Sequence, residues 1–150
     1  MQALHEYELQ FFLLYKVTNY GLGGVCETHT DPGGYIMTRP KAEPENPRTV
    51  STGDIFLTVM GWLNSVKAGG GTAFDHPHKS QLVEPTKGAI ALWFGLESSG
   101  HLEQESSHGG CPILMGSKWI FNKWINSFDQ WKTYPCFKYR DYIQPFIGKY

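Results

Sequence analysis

Apolar residues along the chain fall into short runs that are separated by glycine, proline and polar turn residues. Runs of this length, rich in aromatic and β-branched residues, are typical of β-strands. Their spacing of about ten residues predicts a mainly β fold, either a β-sandwich or a jelly roll. Residues 54–63 are apolar on both faces, as expected for a central strand. The predicted strands cover residues 6–18, 25–31, 54–63, 72–74, 81–85, 89–94 and 118–125.

The first predicted strand, 6–18, has an alternative, because Leu9, Phe12 and Leu13 also fit the spacing of a short helix. We favour the strand, since a turn-rich segment with three glycines follows at 19–24. That segment lacks the Lys-Ser/Thr ending of a phosphate-binding loop. A nucleotide site is therefore not expected here.

Two polar regions are predicted to be loops. Residues 32–53 contain four prolines, and a loop of this length in a compact domain is usually functional or mobile. It is expected to be a lid over a site, with a solvated surface loop as the alternative. The histidines His76, His78 and His101 are expected to be exposed in polar loops and not at a metal.

Composition limits the class of protein. The chain has 150 residues, of which 41% are hydrophobic and 18% charged, enough for one domain with a single core. The net charge of −1 gives no basic field for nucleic acid. No apolar run reaches the roughly 18 residues of a membrane span. A signal peptide would begin with basic residues, but residues 1–10 contain His5, Glu6 and Glu8 instead. We therefore do not expect these residues to be a signal peptide.

One pair of residues suggests a metal site. His29 and Asp31 lie in the predicted strand 25–31, where alternate side chains share one face. With His108 from far downstream they would form a set of two histidines and one carboxylate. This set suits non-haem Fe(II) because it leaves positions open. The alternative is a surface histidine beside a turn aspartate ahead of the Pro-Gly-Gly at 32–34.

Five stretches then carry a resemblance that covers residues 17–136. In order, they are Asn-Tyr-Gly-Leu-Gly-Gly (19–24), His-Thr-Asp (29–31), Ala-Gly-Gly-Gly-Thr-Ala-Phe (68–74), Lys-Gly-Ala-Ile-Ala-Leu-Trp-Phe (87–94) and His-Gly-Gly-Cys-Pro-Ile-Leu-Met-Gly-Ser-Lys-Trp-Ile-Phe-Asn-Lys-Trp-Ile (108–125). Together they resemble the catalytic domain of the collagen-type prolyl 4-hydroxylase α subunits. That family belongs to the 2-oxoglutarate- and Fe(II)-dependent dioxygenases.

The resemblance implies a double-stranded β-helix, or jelly roll, with a little peripheral helix. It implies Fe(II) held by His29, Asp31 and His108, with 2-oxoglutarate and O2 as co-substrates and ascorbate as a further cofactor. Lys118 follows His108 at the family's spacing for the cation that pairs with the distal carboxylate of 2-oxoglutarate. An ammonium group can supply the charge-assisted hydrogen bond that a buried carboxylate needs. The alternative for Lys118 is a solvated hairpin residue.

Three more residues match family positions around the co-substrate. Tyr20 and Thr72 match hydroxyl groups that bind the same carboxylate, and Trp124 matches a tryptophan that lines the pocket. The alternatives are an ordinary core aromatic for Tyr20, a strand-end hydroxyl for Thr72 and plain core for Trp124.

The cysteines are three in number, so at least one is unpaired. By the resemblance, Cys111 and Cys136 match a disulfide, which would form in the endoplasmic reticulum lumen. Cys26 is then the odd thiol, in place of a tyrosine in the family pattern. Protein disulfide isomerase is a further expected partner, because collagen-type subunits work with it.

The sequence also departs from the family. Asn126 stands where collagen-type enzymes have a histidine, and Asn cannot be cationic. Ile55 replaces an arginine thought to contact the peptide. Residues 11–16 look like an insertion, and the segments that precede the catalytic domain in relatives are absent. We therefore expect residues 1–150 to be a single catalytic domain in fragment or truncated form.

The resemblance implies an oxidoreductase of the procollagen-proline dioxygenase type. It would hydroxylate peptidyl proline at C4 in collagen-like or proline-rich peptides. One alternative is the same chemistry on another peptidyl target, which Ile55 keeps open. The other is an inactive, truncated copy that acts as a binding module.

Overall fold

The computed structural model describes residues 15–32, 52–75, 80–128 and 130, which form ten strands in antiparallel sheets. A short 3₁₀ helix, Gln104–Ser106, lies between β7 and β8. The strands are β1 (Lys16–Tyr20), β2 (Cys26–His29), β3 (Ile55–Trp62), β4 (Ala68–Gly69), β5 (Thr72–Phe74), β6 (Gln81–Val83), β7 (Ile90–Phe94), β8 (His108–Gly110), β9 (Ile113–Met115) and β10 (Lys118–Asn126).

Two four-stranded sheets form the body of the fold. The first has the order β1-β10-β3-β7 and the second has the order β2-β8-β5-β6. In the first sheet the long strands β10 and β3 pair from Ile120 opposite Trp62 to Ile125 opposite Leu57. Strands β4 and β9 make a separate two-stranded sheet. This arrangement is the jelly roll that the sequence predicts.

The core lies between the two large sheets. Strand β3 shows how the sequence produces it, because its alternate residues 56, 58, 60 and 62 are all buried. Met60 and Trp62 pack with Trp93 and Ile120 of neighbouring strands, and Phe74 of the second sheet packs against this group. Full burial of an apolar side chain contributes roughly 1.5–3 kcal/mol. The inner faces of the sheets are therefore fixed in register, since a one-residue slip would expose them.

Most predicted strands are confirmed with boundaries shifted by a residue or two. The regions 54–63, 72–74, 81–85, 89–94 and 118–125 contain β3, β5, β6, β7 and β10 in turn. Strand β3 pairs on both sides, as predicted for a central strand. Strand β6 ends its sheet. Among the described residues, no helix is long and apolar enough to cross a membrane.

Four predictions about the strands need correction. Strand β1 continues through Asn19 and Tyr20, which were expected in a turn, because Tyr20 pairs with Lys118. Strand β2 ends at His29, so Asp31 lies in the bend that follows. The partner strand β8 begins at His108, directly opposite His29, and the 3₁₀ helix precedes β8, so the pairing of the two strands ends there. The segment 64–71, which contains three consecutive glycines, predicts a turn, but residues 68–69 form β4. The sequence of residues 108–116 predicts a hairpin, but β8 pairs with β2 and β5 while β9 pairs with β4.

The prediction for His101 was also wrong. It is half-buried, and its Nδ1 lies 3.0 Å from the hydroxyl of Ser99. The predicted strand at 6–14, most of the loop at 32–53 and the pair His76 and His78 lie outside the described residues.

Candidate functional site

Three potential metal ligands meet where β2 and β8 pair. His29 ends β2 and lies directly opposite His108, the first residue of β8. Asp31 follows in the bend, and its Oδ1 lies 3.6 Å from His29 Nε2 and 3.9 Å from His108 Nε2. One ligand atom from each of the three residues lies within 4.8 Å of the other two. We call this group the His–Asp–His cluster.

Both histidines are held in the same way by the backbone. The Nδ1 of His29 lies 2.8 Å from the carbonyl oxygen of Glu27, and the Nδ1 of His108 lies 2.8 Å from that of Ser106. A carbonyl oxygen can only accept, so each Nδ1 carries the proton and donates it. The Nε2 of each ring is therefore left with a lone pair facing Asp31, as a metal ligand requires.

Asp31 is oriented by its neighbours on both sides. Its Oδ2 accepts hydrogen bonds from the hydroxyl of Thr58 at 2.6 Å and from the indole Nε1 of Trp93 at 2.9 Å. Oδ1 remains directed at the two histidines. The next residue, Pro32, is buried against Gly95, where a Cβ would lie 2.6 Å from the Cγ of Pro32. A glycine at 95 is thus needed to let the bend at Asp31 close against β3.

Burial sets the charge of His108. Its pKa is lowered from the ordinary histidine value, mainly by burial and also by His29. The carbonyl of Ser106 and the carboxylate of Asp31 act in the opposite direction. The lowered pKa favours the neutral imidazole, which is the form that binds metals. The side chain of His108 is 9% exposed, whereas that of His29 is 42% exposed.

The chemistry of these donors fits a single divalent metal ion. Two imidazole nitrogens and one carboxylate oxygen lie within 4.8 Å of one another, and three such ligands would leave further positions open on a metal ion. This is the ligand set of non-haem Fe(II) oxygenases. The backbone carbonyls, Thr58 and Trp93 supply the outer hydrogen bonds that such ligands normally have.

A buried cation lies in the same interior. Lys118 starts β10 opposite Tyr20 of β1, and its Nζ donates a 3.2 Å hydrogen bond to the hydroxyl of Thr72 in the other sheet. The Nζ also lies 5.7 Å from the centre of the Tyr20 ring. Lys118 and Thr72 are each 3% exposed. We call Lys118, Thr72 and Tyr20 the lysine cluster.

The charge of Lys118 is only partly compensated. Burial lowers its pKa from the usual lysine value, and the thiols of Cys111 and Cys26 act in the opposite direction. No carboxylate among the described residues pairs with it. A buried ammonium without an anion is costly. The lysine cluster therefore has the charge and the hydroxyl groups to receive a carboxylate ligand.

The remaining predicted residues lie around these two clusters. Trp124 is opposite Thr58 in the register of β10 and β3, so it shares the inner face. Asn126 donates from Nδ2 to the hydroxyl of Thr52 at 2.6 Å. This contact occupies its amide at the end of β10.

The cysteines have a closer relation to the site than the sequence indicates. Neither Cys26 nor Cys111 is in a disulfide with another described residue. Cys136 lies outside the described residues, so the disulfide between Cys111 and Cys136 stays a prediction. The Sγ of Cys26 lies 3.9 Å from His29 Nδ1. Burial raises the pKa of Tyr20, and Cys26 raises it further through its charge and a hydrogen bond.

Sequence reasoning missed Thr58 and Trp93. A signal for Thr58 does exist, since it is the single polar residue among the alternate buried positions of β3. A hydroxyl at such a position needs a partner inside the core. Trp93 gives no such signal, because its indole could equally serve as core packing.

The fold and the cluster together define a class of protein. A jelly roll that presents two histidines and one carboxylate from its interior is a candidate non-haem metal oxygenase. The family model for the 2OG-Fe(II) oxygenase superfamily matches residues 15–126. The chain therefore belongs to the 2OG-Fe(II) oxygenase superfamily.

Curated relatives give a narrower likeness. The chain is 36% identical over 121 residues to prolyl 4-hydroxylase subunit alpha-1 of Gallus gallus, covering 81% of this chain and 22% of the relative. It is 37% identical over 122 residues to subunit alpha-3 of Homo sapiens, covering 81% and 21%. The chain thus spans about a fifth of the length of the curated relatives it matches.

Solved structures agree on the fold. A viral collagen prolyl hydroxylase from Paramecium Bursaria Chlorella virus-1, in its 2OG complex, matches with a TM-score of 0.54 and 22% identity. The match covers 79% of this chain and 62% of that one. A Pseudomonas putida prolyl-4-hydroxylase matches with a TM-score of 0.51 and 15% identity, covering 76% and 51%. At these identities the likeness concerns the fold.

Proposed function

We propose that this domain is a 2-oxoglutarate- and Fe(II)-dependent dioxygenase that hydroxylates peptidyl proline at C4 in collagen-like or proline-rich peptides. The observation that carries the proposal is the pairing of two clusters in one interior. His29, Asp31 and His108 converge within 4.8 Å, and the ammonium of Lys118 is buried between the same two sheets. The curated relatives are named as prolyl 4-hydroxylase subunits, which supports proline as the target.

In this proposal His29, Asp31 and His108 hold Fe(II), which together with O2 and 2-oxoglutarate supplies the oxidant when bound. The protein's contribution is orientation. The carbonyls of Glu27 and Ser106 hold each imidazole with Nε2 inward, so no rearrangement of the rings is needed.

The lysine cluster binds the distal carboxylate of 2-oxoglutarate. Lys118 donates a charge-assisted hydrogen bond, which is stronger in a buried site than in water. Thr72 already contacts Lys118 and fixes the ammonium in place. The raised pKa of Tyr20 keeps its phenol protonated, so that it acts as a donor to the same carboxylate. Trp124, which lies on the inner face opposite Thr58, would line the pocket further along β10.

Exposure indicates the side from which the peptide enters. Lys118 and His108 are buried, whereas the side chain of His29 is 42% exposed. The co-substrate therefore occupies the interior, and the peptidyl proline approaches from the open side at His29. The predicted loop at 32–53 begins directly after Asp31 and would close over this side, as lids do in many enzymes.

The cellular setting is proposed from the family resemblance. From this resemblance we propose ascorbate as a further cofactor and the endoplasmic reticulum lumen as the location. We also propose a disulfide between Cys111 and Cys136 and protein disulfide isomerase as a partner. A disulfide requires an oxidising compartment. Mass spectrometry of non-reduced protein secreted through this compartment would detect the Cys111–Cys136 bond or show two free thiols.

The test is turnover of 2-oxoglutarate to succinate with a Pro-Pro-Gly repeat peptide. We expect His29→Ala to lose turnover, because the metal loses a ligand. His101→Ala is the matched control, since His101 contacts Ser99 outside the cluster, and it should retain turnover. Succinate formation by His29→Ala at the wild-type rate would remove His29 from the proposed site. Absence of iron binding and of turnover in the wild type would favour the inactive binding module.

A second candidate is the same chemistry on a different peptidyl target. Ile55 favours it, because relatives are expected to have an arginine there that contacts the peptide. Mass spectrometry of peptides after incubation would separate the two candidates. Hydroxylation at proline C4 supports the first, and hydroxylation of another residue supports the second.

A further inference from the structure

The carboxylate of Asp31 is held by two donors, Thr58 and Trp93, that are not themselves potential metal ligands. Thr58 and Trp93 are direct cross-strand partners in β3 and β7, and both side chains reach the same oxygen, Oδ2. The hydroxyl of Thr58 donates at 2.6 Å and the indole N–H of Trp93 donates at 2.9 Å. Two adjacent strands of one sheet thus converge on one atom.

The surroundings make these hydrogen bonds strong. Thr58 is 1% exposed and Trp93 is 9% exposed, and the side chain of Asp31 is 8% exposed. Water therefore has little access to Oδ2. A buried carboxylate oxygen needs donors, and a hydrogen bond to an ionised group is about twice as strong as a neutral one.

We propose that Thr58 and Trp93 are positioning residues that keep Asp31 a one-oxygen ligand of the metal. With Oδ2 occupied by two donors, only Oδ1 is directed at the histidines. A carboxylate that bound through both oxygens would take a further position at the metal. Holding Oδ2 away therefore preserves the open positions that the co-substrate and O2 require. The inference rests on the metal site of the proposed function.

Trp93 has a second contact that serves the same purpose. Its ring meets that of His108 edge-on, with ring centres 4.6 Å apart. Phe74 packs against both Trp93 and His108 at 5.3 Å and 5.5 Å. One indole thus positions two of the three ligands, while Thr58 positions one.

Three substitutions separate positioning from folding. Thr58→Val removes the hydroxyl at nearly constant shape, Thr58→Ser keeps a hydroxyl, and Trp93→Phe keeps an aromatic ring without the N–H. Thr18→Val is the matched control. Thr18 is half-buried on β1 opposite Ile120 and has no part in either cluster. Thermal unfolding of the metal-free proteins establishes that each variant folds.

The readout is Co(II) binding, followed by titration and by visible absorption, which reports the coordination number. We expect Thr58→Val and Trp93→Phe to weaken Co(II) binding about 10–100-fold, the usual effect of losing such an outer contact. Their absorption bands should also change, since Asp31 can then bind through both oxygens. Thr58→Ser should restore wild-type affinity and spectrum to a large degree, and Thr18→Val should match the wild type.

The outcomes distinguish this inference from the proposed function. If the wild type binds Co(II) and folded Thr58→Val and Trp93→Phe bind it equally well with an unchanged spectrum, positioning is refuted while the metal site stands. If the wild type binds no Co(II) or Fe(II), the metal site and this inference fail together. Should Thr58→Val not fold, the comparison of Thr58→Ser with Trp93→Phe carries the same decision.

Discussion

The two clusters inside this jelly roll are built to different degrees of completeness. In the His–Asp–His cluster, the polar atoms that face away from the shared centre already have partners. Each Nδ1 donates to a backbone carbonyl, and Oδ2 of Asp31 accepts from Thr58 and Trp93. In the lysine cluster, the ammonium of Lys118 donates to one neutral hydroxyl, and no carboxylate among the described residues pairs with it.

This difference indicates which kind of ligand each cluster would bind. The first cluster is preorganised, so a metal ion would meet ligands that are already oriented. The second is electrostatically incomplete, because a buried cation without an anion raises the free energy of the fold. An anionic ligand that binds there should therefore stabilise the folded protein strongly.

The largest expected effects are on ligand affinity, and a substitution in each cluster should affect a different ligand. Lys118→Ala should lower the affinity for 2-oxoglutarate on the order of 100-fold, because it removes one partner of a buried charge pair. It should leave Co(II) affinity near the wild-type value, since Lys118 contacts none of the three ligands. His108→Ala should abolish Co(II) binding. Calorimetric titration of Co(II), and of 2-oxoglutarate into protein loaded with Mn(II), measures both effects.

Two outcomes for Lys118→Ala would contradict the separation of the two clusters. If Lys118→Ala loses Co(II) as fully as His108→Ala does, the two clusters are not separate, and Lys118 supports the metal site. If it binds 2-oxoglutarate as tightly as the wild type, the lysine cluster is not the carboxylate site. Lys87→Ala serves as control, because Lys87 is exposed in a turn.

The pH dependence of binding sharpens the comparison at the lysine cluster. The protonated ammonium is the form that binds a carboxylate. Burial lowers the pKa of Lys118, so its charge is lost at a pH below the ordinary lysine value of about 10.4. The affinity for 2-oxoglutarate should thus be full at lower pH and fall as the pH rises through the lowered pKa.

Lys118→Arg tests this cause directly. A guanidinium stays protonated throughout this range, so the variant should bind more weakly than the wild type but with little change as the pH rises. The measurement is the same titration of 2-oxoglutarate in a series of alkaline buffers. A parallel decline in Lys118→Arg would show that some other group titrates.

The sequence predicts the charged and imidazole residues of both clusters, but it does not predict the residues that hold Asp31 by hydrogen bonds. Residue type, spacing and resemblance were enough to propose four residues, His29, Asp31, His108 and Lys118. Charged and imidazole side chains are typical ligands for metals and carboxylates, so their residue type already indicates a function. Thr58 and Trp93 were missed. The lone threonine among the buried positions of β3 signals only that its hydroxyl needs a partner, and a tryptophan in an apolar strand can serve as plain core packing. Their role depends on the cross-strand register, which brings residues far apart in the chain to one oxygen.

The geometry of Asp31 shows the same limit. Strand alternation predicted that His29 and Asp31 share a face, yet β2 ends at His29 and a bend places Asp31. The three side chains do lie together, but the bend after β2, and not strand alternation, brings Asp31 to the histidines. What the bend requires is a buried Pro32 against Gly95, a packing contact that no local pattern reveals.

The smallest expected effect concerns the hydroxyl that fixes Lys118. Thr72→Val removes the acceptor of its 3.2 Å hydrogen bond and leaves the charge in place. A hydrogen bond of this kind contributes about 0.5–1.5 kcal/mol net, so affinity for 2-oxoglutarate should fall roughly 2–10-fold. Thr72→Ser should recover most of the loss, because it keeps the hydroxyl. Co(II) affinity should not change in either variant.

Thr72→Val also tests whether the lysine cluster is truly incomplete without ligand. Loss of the Thr72 hydroxyl leaves the ammonium with even less compensation, so its pKa should fall further below the usual lysine value. The alkaline decline of 2-oxoglutarate affinity should then begin at lower pH than in the wild type. If Thr72→Val shows an unchanged pH profile, the ammonium has compensation that the Thr72 contact does not supply. In that case the lysine cluster is as fully preorganised as the His–Asp–His cluster.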